Sequence, residues 1–181
     1  MNRAQRLILF LLLLGIAAAP RPATSQDAGA RGFVDMNQVE SWFEEEPKIE
    51  VNIRGALLNL VAEASRFEDP ELAELLLGLQ GIQVRGFDIR GADDGEVRRR
   101  ASELGRTLER QGWETVVRVR EDDEQVHMYL MATGDVIDGL VVLAIDDWDA
   151  EAVFVNIVGH IEPRQVGRIG RKFNIGGLNE Y

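Results

Sequence analysis

Apolar and polar positions alternate along this chain in two rhythms, and the switches between them mark out the elements. Asn37 can cap a short helix through Val39, Trp42 and Phe43, which Glu44, Glu45, Glu46 and Pro47 end. From Lys48 to Ile53 the apolar residues Ile49, Val51 and Ile53 fall at every second position, the period of a strand with one buried face. Gly55 then opens a helix containing Leu57, Leu58, Leu60, Val61 and Ala64. Asp69, Pro70 and Glu71 combine an N-cap, a proline at the first helical position and an acid in the first turn, so a second helix starts there with Leu72, Leu75, Leu76 and Leu79 inward. Ile82 and Val84 share one strand parity and Phe87 and Ile89 the other, and a bulge at Gly86 is expected to reconcile them. Asp93 and Asp94 can cap a long helix reaching Gln111, along which Val97, Ala101, Leu104 and Leu108 form one stripe; Gly112 stops it.

Beyond Gly112 the rhythm becomes strand-like. Thr115 to Arg120, Gln125 to Met131, Leu140 to Ile145 and Ala152 to Gly159 are β-rich runs separated by acidic turns, which predicts a four-strand antiparallel meander. Glu162 and Pro163 then open a last helix with Val166, Ile169 and Phe173 inward, before Gly176 and Gly177. A helix-rich first half and a strand-rich second half predict an α+β fold, an antiparallel sheet of about six strands covered by helices. The two final runs are apolar on both parities, Val141 and Leu143 against Val142 and Ala144, Phe154 and Val158 against Val153 and Val155. Such strands are buried on both faces. Either helices and the N-terminal segment cover both sides, or one side awaits a partner; Val141, Leu143, Phe154 and Val158 are the candidate partner-binding residues.

The start of the chain reads as an address. Arg3 and Arg6 precede an apolar run from Leu7 to Ala19, too short at about 1.5 Å per residue to cross a ~30 Å hydrocarbon core. Residues 1–25 are therefore expected to be a signal peptide cleaved before Gln26, with 26–32 as linker and 33–181 as a single domain. The expected location is periplasmic or secreted, with no membrane span left after cleavage. Charge adds to this picture: 31 acidic residues against 20 basic give −11, which disfavours nucleic acid and anionic lipid as partners. The absence of Cys removes disulfides, thiolate metal sites, a cysteine nucleophile and a lipidated cysteine.

The order and wording of several segments resemble a family of secreted bacterial proteins known as domain of unknown function 4252. The resemblance is carried by FVDMNQVESWF at Phe33 to Phe43, by KIEVNIRGALLNLVAEAS and EDPELAELLLGLQGIQVRGF within Lys48 to Phe87, by VHMYLMATGDVIDGLVVLAIDD at Val126 to Asp147, and by VFVNIVGHIEPRQVGRIGRKFN at Val153 to Asn174. It implies an envelope or secreted protein of unassigned activity and brings no catalytic residues. Many members look like lipoproteins, from which this chain departs.

No convergent chemistry appears in the residues themselves. His127 and His160 fall on strands that a third separates, offset enough to lie roughly 20 Å apart, so they are not expected to share a metal. Asp93 and Asp94, Asp122 to Glu124, and Asp146, Asp147 and Asp149 sit where caps and turns favour Asp. Ser41, Ser65 and Ser102 lie on helical segments without a nucleophile elbow. Arg98, Arg99, Arg100, Arg106 and Arg110 share their helix with Glu96, Glu103 and Glu109, the spacing of paired charges on a solvated face. The chain thus reads as a non-enzymatic exported module needing no cofactor, which binds a protein in the envelope. The alternatives are a small-ligand or lipid carrier enclosed by the Leu-rich helices, and a hydrolase working through the acidic turns.

Overall fold

The computed structural model describes residues 30–162, so the expected signal peptide and the last helix lie outside the described residues. In chain order the elements are α1 (Asn37–Glu40), β1 (Ile49–Arg54), α2 (Ala56–Ser65), α3 (Pro70–Gly78), β2 (Leu79–Asp88), α4 (Asp94–Arg110), β3 (Glu114–Arg120), β4 (Glu124–Thr133), β5 (Val136–Asp146) and β6 (Glu151–Ile161). The six strands form one sheet in the order β1-β2-β6-β5-β4-β3, every neighbouring pair antiparallel. The fold is α+β, and its second half is the expected meander.

Local chemistry sets the helix starts. The Asp69 side chain accepts from Leu72 N at 3.2 Å, with Pro70 at the first helical position. Asp93 does the same for Glu96 N at 3.2 Å. α1 differs from expectation: Asn37 is its first residue rather than its cap, and the carboxylate of Asp35 takes the Asn37 N–H at 3.0 Å.

The sheet is sandwiched. On one side a strap formed by residues 30–43 crosses β6 and β2, and α4 lies over β3 to β5; Val97, Ala101, Leu104 and Leu108 are buried there with Val34, Met36, Val39, Phe87, Tyr129, Leu143 and Phe154. We call this the strap face. The other, the hairpin face, carries the antiparallel pair α2 and α3, whose Leu58, Ala62 and Leu76 bury Ile53, Ile82, Val84, Val153 and Val155.

This two-sided burial removes the need for a bulge at Gly86. Pairing runs in unbroken register through Gly86, opposite Ile49 on one side and Val153 on the other. Ile82 and Val84 point to the hairpin face and Phe87 to the strap face by simple alternation. The bulge lies instead between Leu79 and Gly81. α3 likewise ends at Gly78, so Leu79, expected on the helical stripe, begins β2.

A single buried side chain makes three hydrogen bonds at the start of the strap. Asn156, fully buried in the middle of β6, accepts from Val34 N at 2.9 Å and donates to Gly32 O at 2.8 Å and Leu140 O at 3.2 Å. Backbones meet closely there, since a Cβ on Gly139 would lie 2.4 Å from the Cα of Gly32. Glycine at both positions is a steric requirement.

Candidate functional site

The paired register of the strands assigns each side chain to a row across the sheet. On the strap face one row reads Glu50, Arg85, Phe154, Leu143, His127, Arg118. Its ends are polar. Arg85 is buried yet reaches Glu40 of α1 and Glu50 of β1, and donates to Val84 O at 3.0 Å. Aromatic contacts close the middle, with Phe43 stacked on Phe87 at 4.0 Å between centroids and Trp42 edge-on to Phe154 at 5.3 Å.

At the other end lies a network beneath α4. Glu109 accepts from Thr115 at 2.7 Å and from Arg118 at 2.8 Å. Arg118 is hydrogen-bonded to Tyr129, and the Tyr129 hydroxyl lies 3.1 Å from His127 Nδ1. His127 is 1% exposed, and its Nε2 has no hydrogen-bond partner among the described residues. Burial, reinforced by the charges of Arg118 and Arg120, pushes the His127 pKa down to about 4. Burial raises the Tyr129 phenol, whereas Thr115 and Arg118 hold Glu109 below the usual carboxylate range.

α4 makes room for this network with a gap. A Cβ on Gly105 would stand 2.1 Å from the Tyr129 hydroxyl oxygen, so the hydroxyl occupies the space where a side chain would be. Asn156, Tyr129 and Gly105 were not singled out in the sequence. Two signals point to them: a polar residue within the apolar run of β6, and a glycine inside a helix, where it costs ~1 kcal/mol relative to Ala.

His127 does not meet His160. The register joins His127 through Leu143 to Phe154, and His160 lies six residues further along β6, exposed. The carboxylates of the turns are engaged locally: Asp146 accepts from Asp149 N at 3.0 Å, Asp147 pairs with Arg98 at 2.6 Å, and Asp88 binds Lys48 and Arg90. Arg90, then Lys48, holds Asp88 far below its ordinary value, and burial followed by Asp149 and Asp146 raises Glu151. Among the described residues no three His, Asp or Glu side chains gather where they could hold a metal ion.

Val141, Leu143, Phe154 and Val158, the residues expected at a partner surface, lie in the interior. They are 0–5% exposed; Val141, Leu143 and Phe154 pack under α4 and the strap, and Val158 lines a cleft with Phe33. The most exposed large apolar side chains among the described residues are Leu60, Phe67, Leu77, Val116 and Trp148, and on the opposite face of the sheet further apolar side chains are partly accessible. There, one row runs Val51, Val84, Val155, Val142, Met128, Val117, and the next Ile53, Ile82, Ile157, Leu140, Leu130. The α2–α3 pair covers the β1, β2 and β6 side, while Val117, Val119, Val126, Met128, Leu130 and Leu140 remain only partly buried.

A family model describes the same span. The model for "Domain of unknown function (DUF4252)" matches residues 43–169, taking in all six strands and α2 to α4. The chain belongs to this family. No curated protein and no solved structure matches it. In this DUF4252 member, the cleft lined by Ala30, Phe33, Arg54, Gln80, Gly81, Gln83 and Val158 offers about 10 Å³, room for roughly one water. Among the described residues no helix is long and apolar enough to cross a membrane.

Proposed function

We propose that the protein is an exported, non-enzymatic module of the cell envelope that works by docking another protein on the uncovered half of its hairpin face. One observation carries the reading: Val117, Val119, Val126, Met128, Leu130 and Leu140 form a continuous apolar strip on paired strands, only partly buried beside the α2–α3 pair. Contiguous apolar surface on a monomer marks interaction sites, and a strip fixed by a sheet is already ordered before binding. The partner that fits presents a row of aliphatic or aromatic side chains, with basic residues towards the β3–β4 turn, where Glu121, Asp122 and Asp123 cluster.

The test places a photo-crosslinking residue at Met128 of the full chain in envelope preparations, with the same residue at Arg99 on the solvated side of α4 as control. The expected result is one partner captured in stoichiometric amount from position 128 alone, and lost when Leu130→Asp is added. Capture from both positions alike, or from neither, overturns the reading.

A further inference from the structure

The most exposed aromatic side chains among the described residues are Phe67 and Trp148, at 94% and 84%, and their backbones are held in different ways. Phe67 lies between α2 and α3, where the N–H groups of Arg66, Glu68 and Asp69 bond to Glu63 and Ser65 at the end of the preceding helix. Trp148 stands at the tip of the β5–β6 turn, and that turn is tied to three separate segments. Asp147 pairs with Arg98 of α4 at 2.6 Å, and its N–H donates to Asp123 O in the β3–β4 turn at 2.9 Å. Ala150 O accepts from Ile89 N, just past β2, at 2.9 Å. Inside the turn Asp149 N donates to the Asp146 carboxylate at 3.0 Å. The indole is thus presented to solvent on a fixed backbone, where it contributes no burial to the core.

The same end of the sheet is acidic. The bond from Asp147 to Asp123 places the tip beside the β3–β4 turn, whose Glu121, Asp122 and Asp123 are exposed and, among the described residues, in no ion pair. On the other side of Trp148, burial followed by Asp149 and Asp146 raises the Glu151 carboxyl above its ordinary value. Carboxylates gathered this closely repel one another, and a cationic surface laid over them relieves the repulsion. An anionic lipid surface would be repelled.

We propose that Trp148 anchors a protein-docking site at the β5–β6 turn, for a partner surface that offers an indole-sized apolar pocket ringed by Lys and Arg. Trp is among the side chains that carry most of the energy of protein interfaces, and its Nε1–H calls for an acceptor within the pocket. The acidic rim orients the encounter and selects basic partners. Because the turn is tied before binding, little ordering entropy is lost when the ring is taken up. The inference uses other residues than the strip around Met128 and stands without it.

In the test, a photo-crosslinking aromatic residue replaces Trp148 of the full chain in envelope preparations. It is expected to capture one protein, and the same residue at position 67 is not. Excess purified wild-type chain should compete for that protein, Phe67→Ala equally well, and Trp148→Ala about ten-fold or more weakly. Asp122→Lys with Asp123→Lys should weaken competition several-fold, and salt at about 0.5 M should do the same to the wild type. Leu130→Asp should leave competition unchanged, with circular dichroism checking that every variant keeps its sheet. No capture at position 148, equal competition by Trp148→Ala, indifference to charge reversal and salt, or loss of competition with Leu130→Asp overturns the inference. So does a blue shift of fluorescence on phosphatidylcholine vesicles that Trp148→Phe abolishes, which would give the ring to a membrane. Specific capture at position 148 with none at Met128 would sink the docking reading alone; the reverse would sink this inference alone.

Discussion

The two faces of the sheet bury comparable aliphatic strands by opposite means. The strap face is stitched with polar bonds: Asn156 to the strap, Arg85 to Glu40 and Glu50, and the chain from Glu109 through Arg118 and Tyr129 to His127. Among the described residues the middle rows of the hairpin face are Val, Ile, Leu and Met from β1 to β4, with Val117 continuing one row and Glu114 ending the other on β3. Buried hydrogen bonds are directional and costly to leave unmade, so they fix one cover in one place. Dispersion and apolar burial are not directional and accept any cover of suitable shape. The strap face is therefore built for permanence, and the hairpin face tolerates exchange of what lies on it.

The sharpest way to break that contrast is at Asn156. Asn156→Leu leaves the Val34 N–H and the Gly32 carbonyl without their partner in the interior, and should cost about 4 kcal/mol in chemical denaturation. Proteolysis should then cut first within residues 30–43. A substitution that costs under about 1 kcal/mol would mean the strap is held by its aromatics instead.

Acid should test the His127 end of the same face. Its native pKa of about 4 lies below the ordinary 6.5, so as pH falls the unfolded chain takes up a proton first. Stability should decline from pH ~6.5 down to ~4 by about 3 kcal/mol, with nothing lost above 6.5 and no further loss from this group below 4. His127→Gln should flatten that window in urea titrations at several pH values. A variant with the wild-type slope would assign the effect to other groups.

Gly105→Ala should act against the usual trend. In an exposed helix the change gains up to ~1 kcal/mol, but here the added methyl meets the Tyr129 hydroxyl, and a loss of about 2 kcal/mol is expected from overpacking. Combining it with Tyr129→Phe, which removes the hydroxyl oxygen, should recover part of the loss; additive losses in the double variant would disprove the contact.

The smallest effect should come from the hairpin face. Met128→Lys lies in the partly buried strip, where the long stem can reach solvent, and should change stability by less than about 1 kcal/mol while abolishing capture of a partner. A loss as large as that of Asn156→Leu would show the strip to be ordinary core.

Much of this was legible because it is local. The spacing of Val97, Ala101, Leu104 and Leu108 gave α4, Asp69 with Pro70 gave the start of α3, and the acidic turns after Gly112 gave the meander. The expected bulge at Gly86 failed for a specific reason: a phase change looks like an irregularity only if one face alone is buried, and here Ile82, Val84 and Phe87 all find a core by plain alternation. The same two-sided burial takes the candidate partner-binding residues into the interior. Val141, Leu143, Phe154 and Val158 were recognised as apolar on a doubly apolar sheet, but parity does not say which face receives the fuller cover.

What the sequence determined alone was element type, strand pairing by short connections, and the absence of thiol chemistry, because periodicity, caps and composition act within a few residues. Only the tertiary structure decided that Asn156 clasps a segment more than a hundred residues earlier in the chain, that Gly105 yields its space to Tyr129, and that the accessible apolar strip runs through Met128 rather than Phe154. Those outcomes depend on which surfaces the chain brings together across the sheet, and a linear pattern carries no record of that distance.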